Sequence, residues 1–220
     1  MDSTLKEMVT EKTRSLEKKG VDTITIDNYT RIYLTSNADW VVPASGKDER
    51  RYLVVNVTRS THVDFNKLWD WYNSGGKEAL MHEMLNRDLS HFNRHKAPST
   101  KGLQEQLAHS LFGVERFVYE ALMDGVFALR SEKVSAPIVD TSLRCKSTAM
   151  YKSYCSLNRD DRITQKEFGT KVKKLLGIKS TARVDGATAY QLPPISNAVV
   201  AFEKQTGITI EIDPDHDWQT

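Results

Sequence analysis

The stretch Thr164–Leu192 constrains the fold more tightly than any other part of the chain. Thr164-Gln165-Lys166-Glu167 is a capping box, in which the threonine hydroxyl and the glutamate carboxylate each satisfy a backbone N–H exposed at a helix start. Phe168, Val172, Leu175 and Leu176 follow at helical spacing, and Gly177 stands where a left-handed residue ends a helix. Lys179–Val184 and Thr188–Leu192 flank Asp185-Gly186, a dipeptide suited to a tight hairpin turn. A further helix is expected over Leu143–Leu157, just upstream. The spacing places Lys166, Thr170, Lys173 and Lys174 on the face of the second helix away from its apolar stripe.

Helix, helix, hairpin is the order of a winged helix. From Lys166 to Arg183 the chain carries Lys166, Lys171, Lys173, Lys174, Lys179 and Arg183 against one acid, Glu167, whereas Glu211–Asp217 holds four acids. Net charge is only +2, so bulk attraction to a polyanion is excluded and any anion-binding face is local. Basic helix and wing together suit DNA contact. The plainer reading is a solvated charge run, or a winged helix that docks on protein; both stand beside it.

Upstream, a short helix from Thr4 to about Thr13 precedes two strands, Thr13–Lys19 and Thr23–Asp27, around the turn Lys19-Gly20-Val21-Asp22. Arg31–Thr35 and the β-branched run Tyr52–Val57 read as further strands, and three of these strands are expected to share one sheet. The middle is helical: Phe65, Leu68, Trp69 and Tyr72 recur at i, i+3, i+4, i+7 and stop at Gly75-Gly76. Leu80, Met84 and Leu85 mark the next helix, Leu103, Leu107 and Leu111 a third started by Pro98-Ser99-Thr100, and Val114–Leu122 a fourth. Ser131–Ser142 reads as a linker. The 220 residues thus give a mixed α/β (α+β) chain with room for one generous domain or two small ones. No apolar run reaches the ~20 residues of a membrane helix, no signal peptide opens the chain, and Cys145 and Cys155 are too few for a disulfide framework.

Several short stretches, taken in order, resemble the superfamily 3 helicase domain of phage and plasmid primase-helicases, including self-priming phage polymerases. Leu5-Lys6 with Leu16–Asp22 resembles the stretch bearing that family's DNA-contacting β-hairpin. Tyr33-Leu34-Thr35-Ser36-Asn37 resembles its motif C, an apolar strand ending in a sensor asparagine. Val41-Val42-Pro43 and Asp48-Glu49-Arg50-Arg51-Tyr52 resemble the loop and strand of its arginine finger. Gly75–Leu80, Arg87-Asp88-Leu89, Ala97–Thr100, Gln104-Glu105-Gln106 and Tyr190–Pro194 extend the likeness along nearly the whole chain. The resemblance implies the distal part of an AAA+-like helicase core (residues 1–62), a helical region (63–130) and a winged-helix-like module (131–220). It also implies, for the intact protein, ATP and Mg²⁺, DNA as partner, a self-associated ring such as a hexamer, a primase or polymerase upstream, and the host cytoplasm as location.

Under that resemblance Asn37 orients the water attacking the γ-phosphate, and otherwise it is a turn residue in Ser36-Asn37-Ala38-Asp39. Arg50 and Arg51 are adjacent at a strand entrance, so their side chains point to opposite faces. One can then reach a neighbouring subunit's nucleotide, where a guanidinium binds phosphate oxygens and stays charged. Position before an aromatic residue favours Arg51; the plain alternative is an ion pair with Asp48 or Glu49. Lys18 and Lys19 at a hairpin tip would grip a phosphate backbone, or simply be exposed turn residues. Lys166, Lys173, Lys174 and Arg183 complete the DNA-facing candidates.

One departure limits the likeness. A phosphate-binding loop needs Gly-x-x-x-x-Gly-Lys-Ser/Thr, yet Gly46-Lys47 and Gly76-Lys77 have Val41 and Trp71 at the first glycine position and Asp48 and Glu78 after the lysine. No acidic Walker B strand precedes Asn37. The chain therefore reads as a fragment that binds no cofactor and hydrolyses no ATP by itself, whatever its parent does. Ser3-Thr4-Leu5-Lys6, the trio Asp88, His91 and His95, and Asp213–Asp217 mimic a Ser-x-x-Lys site, a metal site and a calcium loop, but each lacks its companion residues. The rival reading is a non-enzymatic module that binds DNA and organises a ring.

Overall fold

The capping box forms. In the computed structural model, which describes residues 2–17, 22–44, 46, 49, 51–58, 62–93, 98–130, 135–158 and 161–219, Glu167 N donates to Thr164 Oγ1 at 3.3 Å and Thr164 N to Glu167 Oε2 at 3.1 Å. They open helix α7 (Gln165–Leu176), and the chain as a whole mixes helices with small antiparallel sheets. No described helix is long and apolar enough to cross a membrane.

At the N-terminus, helix α1 (Asp2–Thr10) is followed by strands β1 (Thr13–Leu16) and β2 (Ile24–Asp27), paired antiparallel with Thr13 opposite Asp27 and Leu16 opposite Ile24. Asn28 ties the pair to α1 by donating from its side chain to Met8 O and Glu11 O. The expected three-stranded sheet does not form among the described residues. Arg31–Thr35 and Tyr52–Val57 run without a ladder partner, and Tyr33 and Val57 are 98% and 90% exposed. An extended segment has no internal hydrogen bonds and becomes a strand only against another edge. Here Tyr52–Val57 lies instead against the start of the helix Lys101–His109: Thr100 Oγ1 donates to the Val54 carbonyl, and Asn56 Nδ2 to Glu105 at 2.7 Å.

Helix α2 (Phe65–Trp71) is capped by Asp64, which accepts from Asn66 N and Lys67 N, and a wide turn with Gly75 at φ +105° separates it from α3 (Lys77–Asn86). The expected apolar stripes are present, but no side chain of α2 or α3 is buried. Helix α4 (Lys101–His109) starts at the Thr100 cap, and α5 (Gly113–Asp124) stops at the left-handed Gly125. Strand β3 (Ala128–Arg130), just before the expected linker, and strand β4 (Ser135–Pro137), inside it, then form a small antiparallel pair.

Strand β5 (Arg144–Lys146), helices α6 (Ser147–Leu157) and α7 (Gln165–Leu176), and the hairpin β6 (Thr181–Val184) and β7 (Ala187–Gln191) come next. The sheet order is β5-β7-β6, so the first strand pairs with the last arm of the hairpin. Helix α8 (Ile195–Thr206) closes the module and ends at left-handed Gly207. It was not among the expected elements, although Ile195, Ala198, Val199 and Phe202 stand at i, i+3, i+4, i+7 and all are buried.

The core fills with aromatic rings. Phe168 of α7 meets Phe117 of α5 at 6.0 Å between centroids and Tyr154 of α6 at 4.9 Å, while Phe117 also meets Tyr154 edge-on at 5.5 Å. Trp218, in the tail after α8, stacks on Phe127 at 5.3 Å and donates its indole N–H to Pro193 O at 2.9 Å. Among the described residues this cluster is continuous from α4 to the tail. Cys145 is buried in it, and burial pushes its thiol up to about 12; both cysteines are free.

Helix α7 can approach β7 closely because Gly169 has no side chain. A Cβ there would lie 2.5 Å from the Tyr190 hydroxyl and 3.7 Å from the ring carbon behind it. Gly169→Ala is expected to lower stability by about 1 kcal/mol, overpacking outweighing the gain in helix propensity. Tyr190→Phe in the same chain should restore the melting temperature, because it removes the one clashing atom; no recovery would mean the close approach is set elsewhere.

Candidate nucleic-acid interface

Helix α7 buries Phe168, Gly169, Val172, Leu175 and Leu176 and exposes Lys166, Thr170, Lys171, Lys173 and Lys174. The sequence-predicted basic face therefore exists, held rigid from behind by the aromatic core. Lys173 Nζ sits 5.7 Å from the centroid of the Tyr190 ring, so its stem leans toward β7 while its charge stays outward. Arg183 is exposed on β6, beside this helix in the module's order. The hairpin turn places Asp185 at φ +48° and Gly186 at φ +76°, the backbone of a two-residue turn that matches strand twist.

Two carboxylates trim this surface. Glu167 is held below the usual carboxylate range, chiefly by the hydrogen bond from the Thr164 side chain. Asp185 is held down by the hydrogen bond and charge of Lys146, whose Nζ lies 2.6 Å away. Lys146 precedes α6, so this ion pair ties the hairpin tip to the start of the helical pair. Both acids are ionised when folded at pH values where the unfolded chain begins to protonate. Their contribution is complete above the unfolded carboxylate range and is lost as pH falls through the folded values. Thermal melts of Glu167→Gln and Asp185→Asn should therefore show a flatter acid limb than the parent; identical limbs would rule both groups out as acid-sensitive.

The other predicted residues lie in the N-terminal half. Asn37 and Arg51 line one cleft of about 980 Å³, together with apolar residues such as Ile32 and Leu34 and with Glu105, Gln106 and His109 of α4. Asn37 is exposed at its rim. Arg51 Nη1 lies 3.4 Å from Glu49 Oε1, and Arg51 N donates to the same oxygen at 2.9 Å. The plain reading of this arginine, an ion pair with a near neighbour, is thus realised in this chain. Lys18, Lys19 and Arg50, with Lys47, Asp48 and His95, lie outside the described residues.

What holds the cleft was missed from sequence. Gln106, buried at 5% exposure, accepts from Val41 N at 2.6 Å and Val42 N at 3.2 Å, and donates to Asp39 O at 2.6 Å. One side chain amide completes the backbone of the loop that follows Asn37, and Trp40 Nε1 adds a bond to Ser110 Oγ at 3.1 Å. A lone glutamine on a helix gives little signal, since its partners are backbone groups that sequence cannot display. Gln106→Leu should lower stability by about 1–2 kcal/mol, because buried Val42 N and half-buried Val41 N lose their acceptor, and Trp40 emission should shift toward the red. Unchanged emission would mean the loop is held without Gln106.

Residues 2–51, which include α1, the β1-β2 pair, Asn37 and Arg51, match a family described as of unknown function (DUF5906). No curated protein and no solved structure matches the chain.

Proposed function

We propose that the chain is a DNA-binding part of a replication protein: the distal part of a superfamily 3-type helicase core joined to a winged-helix module. The observation that carries the DNA-binding half is the outward basic face of α7 beside the β6-β7 hairpin. Strand, two helices and a hairpin, with the first strand paired to the last, is winged-helix order, and α5 supplies a preceding helix. In such modules the second helix enters a groove and the hairpin lies along the backbone. Lys166, Lys173, Lys174 and Arg183 would bind phosphates, which need charge rather than a base-specific pattern.

The motor half rests on the sequence resemblance. In that reading the intact protein is a ring ATPase that uses ATP and Mg²⁺, Asn37 serves as sensor, and Arg51 leaves Glu49 to reach the neighbouring subunit's nucleotide. The second reading, a non-enzymatic module that binds DNA and organises an assembly, is favoured by one observation: Arg51 is already paired with Glu49. Either way the basic face serves the same purpose.

Replacing both Lys166 and Lys174 by glutamate should weaken duplex binding and reduce the slope of log K against log salt by about 2, one for each phosphate left without its lysine. Titration of labelled duplex at several salt concentrations measures this. Equal affinity and equal slope for the variant and the parent would assign the α7 face to something other than DNA.

A further inference from the structure

The segment from Val63 to Phe92 forms an arm whose two helices bury no side chain. Twelve large apolar residues within it are more than a third exposed, among them Phe65 at 64%, Trp69 at 64%, Met84 at 65% and Leu85 at 77%. Helices of seven and ten residues fall below the ~12–15 residues that are even marginal alone in water. Such an arm holds its shape only against another surface. We propose that this surface is the same arm of a second copy, packed antiparallel about a two-fold axis through the Gly75-Gly76 kink.

Charge selects the partner. The arm carries five acids and three bases, Lys67, Lys77 and Arg87, so a polyanion is repelled although the Trp69–Tyr72 stack could otherwise receive bases. Laid antiparallel about the kink, the arm is complementary to itself. Asp64 comes opposite Arg87, and Lys67 comes opposite the turn that holds Glu83. Within one chain the ion pairs of these residues are long, Lys67 to Asp64 Oδ2 and Arg87 to Glu83, each at 3.9 Å with side chains 50–86% exposed; Asp64 caps α2 through Oδ1, so its Oδ2 and the other charged groups are free to re-pair. The same overlay sets Leu68 and Trp69 of α2 against Met81 and Met84 of α3. The apolar surface available is on the order of 1,000 Å² per copy, which matches what a stable dimer buries on each side. A two-fold interface of this kind closes on itself, so it yields dimers and does not by itself build a ring.

Size-exclusion chromatography with light scattering tests this on the 220-residue chain. A dimer is expected at micromolar concentration. Trp69→Glu combined with Leu85→Glu should give a monomer whose helical content falls as the arm loses the surface that holds it, while the melting transition of the core stays that of the parent, since the arm adds nothing to the core. Lys67→Glu and Glu83→Lys, which leave the Asp64 cap of α2 intact, should each weaken the dimer about tenfold, as reversing two exposed pairs allows, and the two together should restore it. A parent that stays monomeric overturns the proposal, as does a dimer or larger assembly indifferent to the Trp69/Leu85 variant. Failure of the paired reversal to recover overturns the antiparallel arrangement.

Discussion

Phe168 holds the molecule together. Its ring lies against Phe117 and Tyr154 at once, with Tyr151 at 5.4 Å, and those residues belong to α5 and α6. Aromatic clusters of this size dominate the energetics of a small core. With α7 locked from behind, its opposite side must face water, and the residues there are the lysines. The basic face is therefore a consequence of the core rather than a separate feature. Gly169 sharpens the same effect by letting β7 come close, which draws Lys173 over Tyr190.

The two halves of the chain are built on different terms. From α4 onward most apolar residues at helical spacing are buried; before it, most of the large apolar residues remain exposed. Val41, Tyr52 and Val54 pack against the main cluster, and Val42 and Ala44 are buried in it. Val42 and Ala44 are brought there by Gln106, whose amide replaces the strand partners that the backbone of residues 39–42 would otherwise need. Burial thus follows from available partners as much as from composition.

Much of the C-terminal half was legible in the sequence. The capping box, Gly177 and Asp185-Gly186 act within a few residues of themselves, so local spacing reports them faithfully. Helix α8 carries an equally clear periodicity but no capping box or polar N-cap to mark its start. Pro194 stands at the N-cap, where a missing N–H costs nothing. The N-terminal half was less legible for a physical reason. Tyr52–Val57 has the composition of a strand, but a strand is a relation between two edges, and one edge cannot announce the other. Asn37 and Arg51 of one chain were expected to serve the nucleotides of two different subunits, whereas here they line one cleft, and the pairing of Glu49 with Arg51 depends on a local fold that spacing alone could not settle. Gln106 was invisible for the reason that all its partners are backbone.

Nucleic acid, on this reading, meets the outer face of α7 and not the exposed arm. Lysine acylation followed by mass spectrometry, with and without a short duplex, addresses both surfaces in one experiment. Bound DNA should slow the reaction of Lys166 and Lys174, and of Lys173 less because the Tyr190 ring already shields it, while Lys67 and Lys77 react at unchanged rates. Equal rates at Lys166 and Lys174 with and without DNA, or protection confined to Lys67 and Lys77, would contradict that assignment.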